Sequence, residues 1–438
     1  MDATHPRLTP EQALQFAPDD SAAQNARKLA KPGQWQHLRI NQTVLWGEIQ
    51  GSAVYRAAFD LDALSFKCSC PSRKQPCKHG LALVLSYAQS FALFEPAEPS
   101  GWVAEWLEKR QAAADKKQAR AEDPAKTVDA AAQAKRVAAR EKKVAGGLQE
   151  LQLWLDDLAR GGLAHARTLA RSHFDHMAGR LVDAQAPGLA AAVQELSSAL
   201  RVAHWQQAAT MALGRLALLA ESYGRQDSLP DGLKADIRAL TGWPVAQEEV
   251  LAAPPLADDW LVLAHRDEDL ETGNGRYRRQ WLWGRTSGRG ALLLSFAFGN
   301  QNLIPPYPAG MTLPARLCFY PSATPQRALV RDTDIPAMRP LTGAIGYHSL
   351  DEALDAQAAQ LALNPLLTEM PWLLAGVTVL RDGHDWRLRD RDGRTVPLRV
   401  HDGWALLALS GGHPLQVFGE WDGRELRLLN AWNGEEFL

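Results

Sequence analysis

The sequence predicts an α+β protein of several domains: a small ββα unit near the N-terminus, a helical bundle in the middle and an antiparallel β-rich domain at the C-terminal end. Three observations predict this. Strand formers over 37–67 run into a cysteine-rich loop and then an apolar helical run. Apolar stripes at helical spacing fill 147–243. Beyond Trp372, Asp-Gly and Gly-Gly pairs recur about every ten residues.

Composition bounds the rest. The 438 residues suffice for two or three domains, and 46 % hydrophobic with 22 % charged residues is ordinary for a soluble protein. The formal net charge of −2 makes the whole chain no magnet for nucleic acid, so any such role needs a local basic patch. Three of the four cysteines crowd together, and Cys318 stands apart in an apolar run. Loop-stapling disulfides do not cluster this way; a metal site in a reducing compartment does. The opening MDATHPRLTPEQALQF has no basic stretch followed by an apolar core, and no run is long and apolar enough to span a bilayer. A cytoplasmic location is therefore expected.

HLRINQTVLWGEIQGSAVYRAAFDL is rich in strand formers, with a turn at Gln50-Gly51-Ser52. GLALVLSYAQSFALF follows the cysteines, and Leu81, Val84, Leu85 and Ala88 recur at helical spacing. Residues 107–146 have almost no large apolar side chains and carry eleven Lys and Arg against six Asp and Glu. They read as a basic solvated linker, either a plain spacer or an arm that touches phosphate or an acidic partner. Four amphipathic runs follow, the first ended by Gly161-Gly162 and the third opened by Pro187, whose missing N–H is harmless in a first turn. WLVLAH, RRQWLWGRT and ALLLSFAFG then read as strands, with Asn274-Gly275 as a hairpin turn. The Asp-Gly pairs at 382, 392, 402 and 422 and Gly411-Gly412 predict a meander of short strands, and the eight tryptophans after 255 are expected mostly in the core, with a few lining a binding groove on the meander face. The expected domains are 1–106, with the ββα unit at about 37–95; the linker 107–146; the bundle 147–243; and a Trp-rich β domain 244–438 with a helix near 349–363.

The chemistry concentrates in KCSCPSRKQPCKHG. Side chains i and i+2 of an extended strand point the same way, so Cys68 and Cys70 offer two thiolates from one face. Pro71 and Pro76 bracket a return loop, and Cys77 and His79 arrive at the start of the helix. Three sulfurs and one imidazole complete a tetrahedral zinc set with no open position, which makes the site structural. Free thiols beside a chance histidine would not explain four ligands so compactly placed. Lys67, Arg73, Lys74 and Lys78 surround the thiolates and favour their ionised form; they are also the candidate contacts to nucleic acid or a partner.

Cys-x-Cys, six residues, then Cys-x-His after a β-hairpin resembles the SWIM zinc finger. LWGEIQGS and YRAAFDLDALSFKCSCPSRKQPCKHGLALVL are similar to the bacterial SWIM proteins in particular, as are QLWLDDLARGGLA, RLVDAQAPGLA and the Trp-rich tail. The resemblance implies one structural zinc on Cys68, Cys70, Cys77 and His79, and binding to DNA or protein. It also implies a partner system of a MoxR-type AAA ATPase and a von Willebrand A-domain protein.

Other candidates are weaker. His173 and His176 share a helix face with Asp175 nearby, but no further ligand is apparent, so a surface pair is expected. Asp183 and Gln185 read as turn and capping groups. There is no P-loop, HExxH or GxSxG pattern. The expectation is a non-enzymatic, zinc-binding adaptor that engages a protein, with a DNA- or RNA-binding regulator acting through the basic finger as the alternative.

Overall fold

The structure is a computed structural model that describes residues 8–31, 33–99, 101–121, 130–270, 273–299, 301–343 and 345–434. At the N-terminal end, α1 (Pro10–Leu14) starts at Thr9, whose hydroxyl accepts from the Gln12 N–H while the Gln12 side chain accepts from the Thr9 N–H. Asp19 caps α2 (Asp20–Leu29). Strands β1 (Trp35–Ile40), β2 (Val44–Gln50), β3 (Val54–Asp60), β4 (Ser65–Cys68) and β5 (Glu95–Pro96) form one sheet in the order β4-β3-β2-β1-β5. The two runs expected on either side of Gln50-Gly51-Ser52 are four strands, with that turn joining β2 to β3, so the expected ββα unit, completed by α3 (Lys78–Gln89), is part of a larger sheet. Leu81 through Leu85 are apolar on every side of α3, and the helix is correspondingly buried, between the sheet and α1 and α2.

The stretch read as a solvated linker holds parts of two long helices, α4 (Trp102–Ala121) and α5 (Ala130–Gly161); residues 122–129 lie outside the described residues. Both ends of the stretch are docked. Arg110 pairs with the mostly buried Asp60 of β3. Arg140 donates to the carbonyls of Gln185 and Gly242. Glu141 accepts from the Tyr223 hydroxyl at 2.6 Å and from Arg238 at 2.5 Å, and Val144 is buried. A boundary at residue 146 therefore cuts through α5. Three charges that looked solvated, Arg110, Arg140 and Glu141, are thus partnered, while Lys135, Arg136, Lys142 and Lys143 are exposed.

The bundle contains α5, α6 (Leu163–Thr168), α7 (Arg171–Asp183), α8 (Pro187–Ala199), α9 (Trp205–Gly224) and α10 (Asp231–Thr241), with α11 (Gln247–Ala252) leading out of it. Leu148, Leu151, Leu155 and Leu158 make one stripe of α5, packed in a core with Phe174, Leu181, Val193 and Leu216. The second amphipathic run breaks at Leu169–Ala170 into two helices.

The C-terminal β region differs from a simple meander. Strands β6 (Leu256–Asp269), β7 (Gly275–Gly284), β8 (Gly290–Phe298), β9 (Met311–Phe319), β10 (Arg327–Thr333) and β11 (Arg339–Pro340) run in the order β10-β8-β7-β6-β9-β11, and β10 also pairs with β9. The circuit β6-β7-β8-β10-β9 is thereby closed, with β8 and β10 parallel. After α12 (Leu350–Leu363), strands β12 (Met370–Asp382), β13 (Asp385–Arg389), β14 (Thr395–Arg399), β15 (Leu415–Trp421) and β16 (Leu426–Trp432) form a closed barrel, β12-β13-β14-β16-β15, with β14 and β16 parallel. Parallel neighbours need a crossover, and α13 (Gly403–Ser410) lies within it. The predicted turn at Asp402-Gly403 is thus a helix start: the Asp402 carboxylate accepts from the N–H groups of Trp404 and Ala405. Gly411 ends the helix in the left-handed conformation.

The two circuits share one plan. The first strand pairs with the second and fourth, the second with the third, and the third lies parallel to the fifth. This is the strand order of the OB-fold. The barrels pack together through Trp281, Trp283 and Leu263 on one side and Phe418, Leu373 and Trp432 on the other. The first barrel also shares a core with the N-terminal unit, where Phe16, Phe59 and Leu81 join Trp260, Val262 and Leu313.

Candidate metal centre

The β3–β4 hairpin fixes the first two ligands. Ala57 lies opposite Cys68, and the pairing continues past β4 through Ser69 N–H to Arg56 O and Arg56 N–H to Ser69 Oγ. The chain therefore stays paired through Ser69 and bends at Cys70. Cys77 is the N-cap of α3, and its Sγ accepts from the Gly80 N–H at 3.5 Å. His79 is buried in the first turn with Nδ1 3.8 Å from Cys68 Sγ. The Tyr55 ring stacks on its imidazole at 4.9 Å. Gly80 lets the helix approach the hairpin, since a Cβ there would sit 3.1 Å from the Phe66 ring.

The ligand atoms of Cys68, Cys70, Cys77 and His79 all lie within 4.8 Å of one another. A tetrahedral zinc with Zn–S of about 2.3 Å needs sulfur–sulfur edges of about 3.8 Å, so the set fits the ion with small adjustments. The electrostatics agree. The Cys77 thiol is drawn down to about 4 by a hydrogen bond from Cys68, with His79 and the Gly80 N–H adding to it. Cys68 is pushed up by that same bond and by burial, and Cys70 chiefly by burial. Thiols this crowded resist ionising together unless a cation sits among them, and a divalent ion with three thiolates resolves that repulsion.

Family models match the chain in two places: the SWIM zinc finger over residues 62–88 and the SWIM-associated four-helix bundle domain over residues 139–241. By these matches the chain carries a SWIM zinc finger and a SWIM-associated four-helix bundle domain. No curated protein and no solved structure matches it. The SWIM finger match holds all four ligands, and the cluster is positioned to bind one zinc ion. The bundle match opens at residue 139, just ahead of Arg140 and Glu141, where the docked part of α5 begins.

Around the SWIM loop, Lys67, Arg73, Lys74 and Lys78 are all exposed. Lys74 is tied to Asp19 at 2.6 Å, which lowers the carboxyl pKa of that helix cap. Lys67, Arg73 and Lys78 form no ion pair among the described residues. The Arg73 carbonyl accepts from Asn302 Nδ2, and Gln12 and Gln15 bond the backbone of Ala309, so finger and first barrel are stitched together. Sequence reading missed Asp19, Tyr55 and these glutamines, because each acts across a long separation without a periodic signal. His173 joins no ligand cluster among the described residues; it accepts from Trp154 Nε1 at 2.9 Å, and Asp175 accepts from Gln194. Gln185 follows α7 at positive φ and gives its carbonyl to Arg140, in keeping with a turn role. Among the described residues no helix is long and apolar enough to cross a membrane.

Proposed function

We propose that this chain is a non-enzymatic adaptor of the cytoplasm whose zinc-stabilised finger engages a protein partner. The observation that carries the reading is the continuity of the core from the finger into the first barrel. It holds the exposed Lys67, Arg73 and Lys78 on a rigid platform, where rigid placement lowers the ordering cost of binding. A closed four-ligand site supports a structural ion, and clustered reduced cysteines support a reducing compartment. An acidic face on the partner complements these cations. The AAA ATPase and A-domain proteins that the sequence resemblance implies are the first partners to test.

The same three cations favour a second reading, in which the SWIM finger binds DNA or RNA. A nuclease-treated pull-down from the native host separates the two. The adaptor reading expects a protein that survives nuclease and is lost on Lys67→Glu/Arg73→Glu/Lys78→Glu. A co-purifying set removed wholly by nuclease transfers the finger to nucleic acid and overturns the adaptor reading.

A further inference from the structure

The outer sides of the second and third strands differ between the two OB-type barrels: on the first, Trp281 and Trp283 pack against the second barrel, and the end beyond them, around Tyr277, stays accessible. On the first barrel these strands are β7 and β8. Their outer side carries Tyr277 opposite Phe296, with Phe298 two residues on. The rings of Tyr277 and Phe296 stack at 5.9 Å, and those of Phe296 and Phe298 at 6.4 Å with planes only 9° apart. Phe296 is 45 % and Phe298 54 % exposed. Burying these exposed rings would be favourable.

On the second barrel the corresponding strands are β13 and β14. Leu388, Val396 and Leu398 point inward, leaving Arg387, Arg389 and Arg399 outward. Arg387 donates to the Thr395 hydroxyl, and neither Arg387 nor Arg389 forms an ion pair among the described residues. The half-exposed Arg399–Glu425 pair at 3.1 Å is weak enough for a phosphate to displace. Several carboxylates of this barrel are occupied elsewhere. Asp390 and Asp402 accept backbone N–H groups, and Glu420 is buried against arginines of the first barrel. The arginine face therefore stands out although the barrel's formal charges balance.

The two faces are joined. Glu268 accepts from the Tyr277 hydroxyl and lies 3.9 Å from Arg427, whose in-register neighbour is Arg399. The aromatic rings and the guanidinium groups are thus linked across the two barrels through Glu268 and Arg427. Single-stranded nucleic acid is the ligand with this alternation of flat apolar surface and regular negative charge. A duplex hides its bases from such a platform.

We propose that this surface binds single-stranded nucleic acid, with bases stacked on Tyr277, Phe296 and Phe298 and phosphates held by Arg387, Arg389 and Arg399. The site is separate from the SWIM finger and stands or falls without the adaptor reading.

The test is fluorescence anisotropy on the full zinc-loaded chain with labelled oligothymidine and oligouridine of about 15 nucleotides, the span of one such barrel. A duplex of equal length is the control. The wild type is expected to bind the single strands, more tightly than the duplex, with affinity falling as salt rises. Phe296→Ala/Phe298→Ala should weaken binding at least about fivefold without changing the salt slope, since stacking carries no counterion release. Arg387→Ala/Arg389→Ala should weaken it at least about tenfold and reduce the log–log salt slope by roughly 1.4, about 0.7 per lost phosphate contact. All four side chains point away from the barrel interiors, so thermal melts should match the wild type. Arg389→Ala alone supplies a milder variant if the double change alters the melt. No binding at about 50 mM salt, equal binding to duplex, or affinity unmoved by both double variants overturns the proposal. So does binding lost only on Lys67→Glu/Arg73→Glu/Lys78→Glu.

Discussion

Arg279 of β7 donates to Glu420 of β15 from Nε at 3.0 Å and from Nη2 at 2.7 Å, across the boundary between the two barrels. Glu420 is 3 % exposed and also accepts from Trp281 Nε1 at 2.8 Å, with Arg266 at 3.3 Å from its other oxygen. The nearby Glu369 carboxyl is raised by burial and by Glu420, while Arg279 reaches it at 2.9 Å. Removing Glu420 takes the acceptor from the buried Trp281 N–H and leaves Arg279 to Glu369 and Arg266 to Glu268, a loss of up to about 3–5 kcal/mol. Glu420→Ala is therefore expected to destabilise the barrel pair by that order. Glu420→Gln keeps an acceptor for Trp281 and should cost less. Urea unfolding of both variants checks this, and a loss under about 1 kcal/mol in Glu420→Ala would show that the cluster is solvated.

The SWIM site makes a second prediction. Cys77→Ala removes a zinc ligand and also the cap on α3. Bound zinc should fall from one ion per chain to none by elemental analysis. Hydrogen exchange should speed up in the β3–β4 hairpin and α3 first, because a small finger draws much of its folding energy from the metal. Stitching through Gln12, Gln15 and Asn302 should carry a weaker effect into the 301–310 segment. Stoichiometric zinc in the purified variant would mean that the ligand set is wrong.

Tight helix contact in the bundle gives the third. A Cβ on Gly188 would lie 1.9 Å from the Leu240 carbonyl oxygen, so α8 and α10 meet backbone to backbone there. Gly188→Ala must push these helices apart. The expected cost is about 1–3 kcal/mol, read as a lower thermal midpoint. Gly179→Ala, with nothing within 4 Å of its added carbon, is the control and should be neutral or stabilising. Equal midpoints for the two variants would refute the close approach.

The zinc ligands were legible in the sequence because everything they need is local: a two-residue strand repeat, a return loop and a helix cap within Cys68–His79. The helices of the bundle were legible through periodicity. The barrels were not. Each is closed by a parallel pairing only two residues long, Arg327 with Leu292 and Ala328 with Leu293 in one, Leu398 with Leu426 and Arg399 with Arg427 in the other. So short a contact leaves no pattern in either strand. Asp402-Gly403 misled for a chemical reason. An aspartate accepting backbone N–H groups serves a turn and a helix cap alike, and the downstream residues alone decide between them. The ends of the basic linker misled because Arg110, Arg140 and Glu141 are charged residues whose partners lie far away in sequence.

His265 carries the last prediction. It lies on β6 opposite Gln280, on the same side of the sheet as Arg278 and Asp267. Burial, helped by the charge of Arg278 and opposed by Asp267, holds its pKa down to about 4. The folded chain thus keeps it neutral, while the unfolded chain protonates it near pH 6.5. For a histidine lowered in the fold, the unfolded state binds the extra proton as pH falls. The associated stability is complete above about pH 6.5 and is lost progressively toward pH 4, by at most about 3 kcal/mol. Metal binding by thiolates and imidazole also depends on pH, so the comparison must be between the wild type and His265→Gln. The difference in unfolding free energy between the two should shrink as pH falls from about 6.5 to 4. A difference that stays constant across that range would mean that His265 titrates freely in the folded chain.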